Sequence, residues 1–277
     1  LSAIFVVCSK ESRPVKISAN GIDLYYDLSG SGPHVTFLHS LSTDHAIWES
    51  QVKTLKDSHA LLACDLRGHG RSSAPAGAYT LELLADDVLA LWDALGIDRS
   101  HVVGISLGGM VAQTLALKAR RRVRSLVLAD TTAYYPPAAA AAFTDRIRIA
   151  REQGVEPLVQ PTLERWFTAR FREERPEVVE RIAGLIRRTP AAGYIGCCHA
   201  IARLDTFSRL NEIRCPTLVI VGEEDQGTPP DMARALAEGI PGARLEIIPG
   251  AHLTCVEQAE AFNKLLSDFL AGQEARD

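Results

Sequence analysis
Apolar and polar positions along this chain change period several times. Val15-Lys16-Ile17-Ser18-Ala19 and Ile22-Asp23-Leu24-Tyr25-Tyr26 read as short strands, and Asn20-Gly21 between them is the residue pair a tight two-residue hairpin needs. Four short, nearly continuous apolar runs follow, at Val35–Leu38, Ala60–Cys64, His101–Gly104 and Leu126–Ala129. Two more come late, at Thr217–Val221 and Leu245–Ile248. Runs of this length suit strands buried on both faces of a parallel sheet. Helical spacing separates them, over Leu81–Leu95, Leu107–Ala119, Pro230–Glu238 and Glu257–Leu270. The alternation predicts an α/β chain: a mostly parallel sheet opened by an antiparallel hairpin and covered by helices on both faces.

The segment 132–205 breaks the alternation. It carries helical Arg/Glu-rich stretches punctuated by Pro136-Pro137, Pro157, Pro161, Pro176 and Pro190, with no convincing strand. We read it as a helical insertion after the sixth strand, covering the sheet's C-terminal edge. Residues 1–131 and 206–277 then form the core. Arginines 165, 170, 172, 175, 181, 187 and 188 interleave with glutamates 164, 173, 174, 177 and 180, the pattern of a solvated, ion-paired helix surface.

With 277 residues, 47% hydrophobic and 23% charged, the chain has enough apolar material for one large domain. A net charge of −4 offers no general attraction to nucleic acid or an anionic membrane, and no apolar run is long enough to span a bilayer. Leu1–Cys8 lacks the basic start and small-x-small site of a signal peptide and reads as an extension or stray first strand. The six cysteines are scattered without a C-x-x-C pair. That usage fits reduced thiols in a cytoplasmic protein better than a disulfide framework or a zinc site. No cofactor or metal is called for.

Chemistry concentrates at Gly104-Ile105-Ser106-Leu107-Gly108, which joins an apolar run to a helical one. A serine at the apex of a strand-to-helix turn has strained backbone angles, and glycines on either side remove side chains that would collide. The competing reading is a glycine-rich turn with an incidental serine. A serine hydroxyl needs a base to take its proton and a group to orient that base. Gly222-Glu223-Glu224-Asp225 leaves one late apolar run and Pro249-Gly250-Ala251-His252 leaves the next. This makes Asp225 the candidate acid and His252 the candidate base, with Asp130, Glu223 and Glu224 as other acids near strand ends. Two backbone N–H groups would hold the oxyanion: Leu107, next to the serine, and Leu41 in the loop after Val35–Leu38, with Ser40 as second choice. Asp65-Leu66-Arg67-Gly68-His69-Gly70-Arg71-Ser72 looks catalytic, but its glycines suit a structural turn in which Arg67 and His69 pack or hydrogen-bond.

Together, Asp65–Ser72, Gly104–Gly109, Gly222–Asp225 and Gly250-Ala251-His252 resemble the α/β-hydrolase superfamily over nearly the whole length. A narrower resemblance is to the 3-oxoadipate enol-lactonases. It is carried by Leu38–Asp44 with Trp48, Arg165-Trp166-Phe167-Thr168, Gly193–Ile201, Cys215–Ile220 and Thr228-Pro229-Pro230. His39 stands where those enzymes commonly have Asn, Ser42 where Gly is usual, and Ser40 in the glycine position of the common His-Gly turn. The resemblance implies that the insertion is a cap and that the reaction is hydrolysis of a small lactone or ester through an acyl-enzyme. Such an enol-lactone carries a carboxylate, for which Arg165 is the candidate partner. Ser40, Trp48 and Trp166 are candidate pocket residues, core packing being the alternative for each Trp. Rival readings are a general carboxylesterase or perhydrolase, a carbon–carbon bond hydrolase of ring-cleavage products, and a non-catalytic relative that binds a small ligand. Haloalkane dehalogenases and epoxide hydrolases need a carboxylate where Ser106 stands.

Overall fold
The computed structural model describes residues 13–274, so Leu1–Cys8 lies outside the described residues. Strands β1 (Arg13–Ala19) and β2 (Ile22–Gly30) form the antiparallel hairpin. Asn20 and Gly21 sit at φ 47° and 75°, the left-handed region this turn requires. β2 runs on to Gly30 because its second half pairs with a later strand. There follow β3 (His34–Leu38), α1 (Glu49–Leu55), β4 (Ala60–Cys64), α2 (Leu81–Leu95), β5 (Ser100–Ile105), α3 (Leu107–Lys118) and β6 (Val123–Ala129). Helix α1 is short and half exposed, and no apolar period announces it.

The insertion comprises α4 (Pro137–Gln153), α5 (Val159–Trp166), α6 (Ala169–Glu174), α7 (Pro176–Arg188) and α8 (Ala191–Ala202), with no strand between β6 and β7. Its charged face pairs as the residue pattern suggests: Arg170–Glu174, Arg175–Glu177 and Arg187–Glu180 lie at 2.8, 2.7 and 2.6 Å. The chain then completes the sheet with β7 (Thr217–Gly222), α9 (Pro230–Gly239) and β8 (Arg244–Ile248), followed by α10 (Thr254–Glu257) and α11 (Ala259–Glu274). One helix was expected over Glu257–Leu270. It is broken at Gln258, which leaves helical geometry (φ −120°, ψ 43°), while the Glu257 side chain accepts a hydrogen bond from the Ala251 N–H at 3.0 Å. That tertiary bond outweighs the local period.

Strand order is β1-β2-β4-β3-β5-β6-β7-β8, parallel from β4 to β8. Side chains alternate between two apolar layers. Leu38, Leu62, Val102, Leu126 and Leu128 face α2 and α3 through Leu84, Leu91, Trp92 and Leu115. Phe37, Leu61, Val103, Val127 and Ile220 face α1 and α11 through Leu55, Phe262, Leu266 and Phe269. The chain moves from β3 outward to β4, then returns to place β5 on β3's other side. The loops after β3 and β5 therefore diverge to opposite faces, and in sheets of this kind the crevice they leave is where ligands bind.

Candidate active site
Ser106 joins β5 to α3 with φ 53° and ψ −115°, a strained conformation for a residue with a Cβ. A Cβ on Gly104 would strike the Gly108 carbonyl, and one on Gly108 would strike the Leu38 carbonyl and approach that of His39 to 2.8 Å. The two glycines thus let strand, helix and the loop after β3 meet at one point. Thr131, just past β6, donates its hydroxyl to the Ser106 carbonyl at 2.8 Å and steadies the turn.

His252 and Asp225 meet the serine from the loops after β8 and β7. His252 Nε2 is 2.8 Å from Ser106 Oγ, and Nδ1 lies 2.9 and 2.8 Å from the two Asp225 oxygens. Asp225 also accepts from the N–H groups of Gly227 and Thr228 (2.7 and 2.9 Å) and from the Thr228 hydroxyl (2.8 Å). Burial alone would raise its pKa, but the adjacent His252 charge and these donors outweigh it and hold the carboxyl below its ordinary value. Burial likewise works against a charged His252, and the Asp225 carboxylate reverses the balance, so the imidazole pKa is raised. With Asp225 ionised, Nδ1–H donates to it and Nε2 is left to accept from Ser106.

Glu223 and Glu224 remain exposed. Asp130, the other acid weighed from sequence, ends β6 fully buried and bonds to Gly222 and Thr254, not to the imidazole.

The loop after β3 places Ser40, Leu41 and Ser42 on the same cavity as Ser106 and His252. The N–H groups of Leu41 and Leu107 have no acceptor among the described residues. The loop is braced from beneath by two histidines. His69 Nε2 accepts from the Ser42 N–H at 3.0 Å, while His39 Nε2 accepts from the Leu66 N–H at 2.9 Å and its Nδ1 binds the Ser40 carbonyl at 2.7 Å. Burial pushes the His69 pKa down to about 3, so it stays a neutral acceptor. Arg67 is held by Asp87 at 2.7 and 2.6 Å. The turn Asp65–Ser72 is therefore a scaffold. Ser42 has φ 63°, which accounts for the preference for glycine at that position. The Ser40 hydroxyl is buried and makes no hydrogen bond among the described residues.

Helices α4, α5 and α8 complete the cavity. Trp166 stacks on His252 (centroids 6.3 Å apart), and the Trp166 carbonyl accepts from the Leu253 N–H at 3.2 Å. Arg165 lines the cavity, donating to the Thr162 hydroxyl at 3.2 Å. Arg146 and Tyr135, which the residue pattern did not single out, also line it, as does Tyr194 from the Gly193–Ile201 stretch. Arg146 stacks over the Phe143 ring at 4.9 Å. Neither arginine has a carboxylate at ion-pair distance among the described residues, and burial together with the Arg146 charge lowers the Arg165 pKa.

Trp48 requires a correction. It is fully buried between Phe37 (5.1 Å) and Phe262 (6.1 Å), in the layer under α1 and α11, and does not line the cavity. Gly193 and Gly196 of α8 allow close packing instead, since side chains there would collide with Gly68 and the Tyr79 ring. Among the described residues, Asp44, His45 and Asp65 bring metal-type atoms within 4.8 Å of one another, but Asp65 is engaged by the His45 ring at 2.6 Å and the Arg71 N–H at 2.8 Å.

Residues 33–259 match the family model described as the alpha/beta hydrolase fold. Among curated proteins, 3-oxoadipate enol-lactonase 2 of Acinetobacter baylyi is 36% identical over 249 residues, covering 89% of this chain and 92% of that protein. A putative carbamate hydrolase of Azorhizobium caulinodans, RutD, is 30% identical, covering 89% of this chain and 94% of that protein. Among solved structures, the enol-lactonase from Burkholderia xenovorans LB400 superposes with a TM-score of 0.90 at 35% identity, covering 93% of this chain and all of that one. Sheet order, strained serine turn and these matches agree: the chain belongs to the α/β-hydrolase family.

Proposed function
We propose that this protein hydrolyses a small, negatively charged lactone or carboxylic ester through an acyl-enzyme, with residues 132–205 as a cap over a core of 1–131 and 206–277. Ser106 Oγ attacks the carbonyl carbon while His252 Nε2 takes its proton. The oxyanion forms against the Leu41 and Leu107 N–H groups, where each donor is worth about 2.7–4 kcal/mol in comparable sites. As the tetrahedral intermediate collapses, the acyl C–O bond breaks and His252 returns the proton to the departing alkoxide or enolate oxygen. In a lactone that oxygen stays tethered to the acyl group. Water then attacks the Ser106 ester with His252 again as base, releasing the acid and regenerating the hydroxyl. Asp225 keeps the imidazole in the accepting tautomer throughout.

The observation that carries this reading is the 2.8 Å Ser106–His252 contact, backed by Asp225, inside a cavity with two guanidinium groups that have no carboxylate at ion-pair distance among the described residues. Arg165 and Arg146 suit a substrate carboxylate, and the enol-lactonase relatives make 3-oxoadipate enol-lactone the first substrate to try. The scattered cysteines fit a cytoplasmic setting, and no helix among the described residues is long and apolar enough to cross a membrane. A fluorophosphonate probe should label the wild type and not Ser106→Ala. The kcat/KM for the enol-lactone should exceed that for p-nitrophenyl acetate. An advantage for the simple ester would overturn the substrate assignment, and failure to label would overturn the serine-hydrolase mechanism.

A further inference from the structure
Asp130 is fully buried, yet no lysine or arginine approaches it at ion-pair distance among the described residues. It occupies the left-handed region at φ 44° just where the chain leaves β6. A buried carboxylate in a strained turn is costly, and such a group persists where its surroundings hold it in place. The donors around Asp130 are specific. Oδ1 accepts from the Gly222 N–H at 3.1 Å, and Oδ2 accepts from the Thr254 N–H at 3.0 Å and the Thr254 hydroxyl at 2.6 Å. Gly222 ends β7 and opens the turn carrying Asp225, whose own N–H donates to the Gly222 carbonyl at 3.2 Å. Thr254 lies two residues past His252 and starts α10. One carboxylate therefore joins the bases of the two loops whose tips must meet at 2.8 Å.

We propose that Asp130 is a positioning residue, which sets the distance and alignment of His252 against Asp225 by tying Gly222 to Thr254. This rests on the reading of Ser106, Asp225 and His252 as the catalytic groups. Asparagine does not replace it. If its carbonyl took the Gly222 N–H, its amide would face the Thr254 N–H, donor against donor. The opposite orientation would set the same conflict at Gly222. The titratable groups around Asp130 are Asp225, His252 and Cys255. Burial and the Asp225 charge push the Asp130 carboxyl up to about 8, against the pull of His252 and the Thr254 donors. In return Asp130 raises the His252 pKa while Arg165 lowers it.

The test compares wild type, Asp130→Asn and Thr254→Val, with kcat expressed per site titrated by the fluorophosphonate probe. For Asp130→Asn we expect kcat to fall by roughly 10–100-fold, by analogy with the loss on removing an outer-shell group that orients a metal-bound histidine. KM should be nearly unchanged, and the acid limb of the kcat/KM profile should stay in place, because a carboxyl pushed up to about 8 is neutral on that limb and asparagine is neutral too. A purely structural Asp130 would reduce the number of titrated sites but leave turnover per site in place, which would overturn the proposal. Should Asp130→Asn fail to fold, Thr254→Val removes one donor without changing charge. It should label several-fold more slowly with its acid limb unmoved, and a wild-type rate would overturn the proposal. Failure of the underlying mechanism shows differently, as wild-type protein that the probe does not label.

Discussion

Asp225→Asn tests the tautomer argument directly. Asp225 Oδ1 accepts two backbone N–H groups, from Gly227 and Thr228, at 2.7 and 2.9 Å. An asparagine carbonyl must take that position, because turning the amide nitrogen toward both would leave two donors unsatisfied at about 1–3 kcal/mol each. The amide NH2 then faces His252 Nδ1, which must become an acceptor. Nε2 consequently carries the proton and points a donor at Ser106, 2.8 Å away, where a base is needed. The same substitution in a serine-protease triad lowers kcat about 10⁴-fold. At about 1.36 kcal/mol per decade that is roughly 5 kcal/mol of barrier. We expect a loss of this order in fluorophosphonate labelling and in ester turnover, with KM and thermal midpoint near wild type, because packing and the two backbone donors to Oδ1 are kept. A variant within tenfold of wild type would refute the assignment. A larger loss in Asp130→Asn than in Asp225→Asn would transfer the acid role to Asp130.

Replacing Arg165 or Arg146 by Met should raise KM for the anionic lactone about 10–100-fold, the effect of losing a charged hydrogen bond of about 1.5–3 kcal/mol. Turnover of neutral p-nitrophenyl acetate should be unaffected, and equal losses on both substrates would remove the arginines from carboxylate recognition. Trp48→Ala should cost about 3–5 kcal/mol in urea unfolding while leaving labelling per folded molecule intact, since its ring fills the layer between Phe37 and Phe262. A specificity change without lost stability would return Trp48 to the pocket. For His45, burial opposes the charge, but the hydrogen bond to Asp65 at 2.6 Å and the Asp27 carboxylate at 3.4 Å outweigh it and raise its pKa. A raised folded-state pKa gives stability that is complete below the unfolded value, about 6.5, and fades as pH rises through the folded one. His45→Gln should therefore lose more unfolding free energy at about pH 5.5 than at about pH 8.5. An equal loss at both would show that the histidine acts uncharged.

The local grammar of the chain settles a good deal. Continuous apolar runs report strands, buried on both faces except at the sheet edge, where β8 leaves Ile247 exposed, and Asn20-Gly21 reports the hairpin, because each rests on nearest-neighbour sterics and on burial alone. Gly104 and Gly108 identify the Ser106 turn for the same reason, since a Cβ at either would collide wherever the rest of the chain went. His252 and Asp225 were legible as side chains just past strand ends. Tertiary structure decided what those residues meet. As a residue type Trp48 suits a pocket wall or the core equally, and the sheet order places it under α1 and α11 rather than in the cavity. Arg146 belongs to a helix whose polar pattern looks like any solvated face, and only the docking of α4 beside α8 turns it toward Ser106. Asp130 and Asp225 both follow strands and are equivalent as residue types. The register of β6 against β7 points one at Gly222 and leaves the other 2.8 Å from the imidazole. Sequence spacing carries no information at that scale, because the distance is set by how separate strands and loops pack.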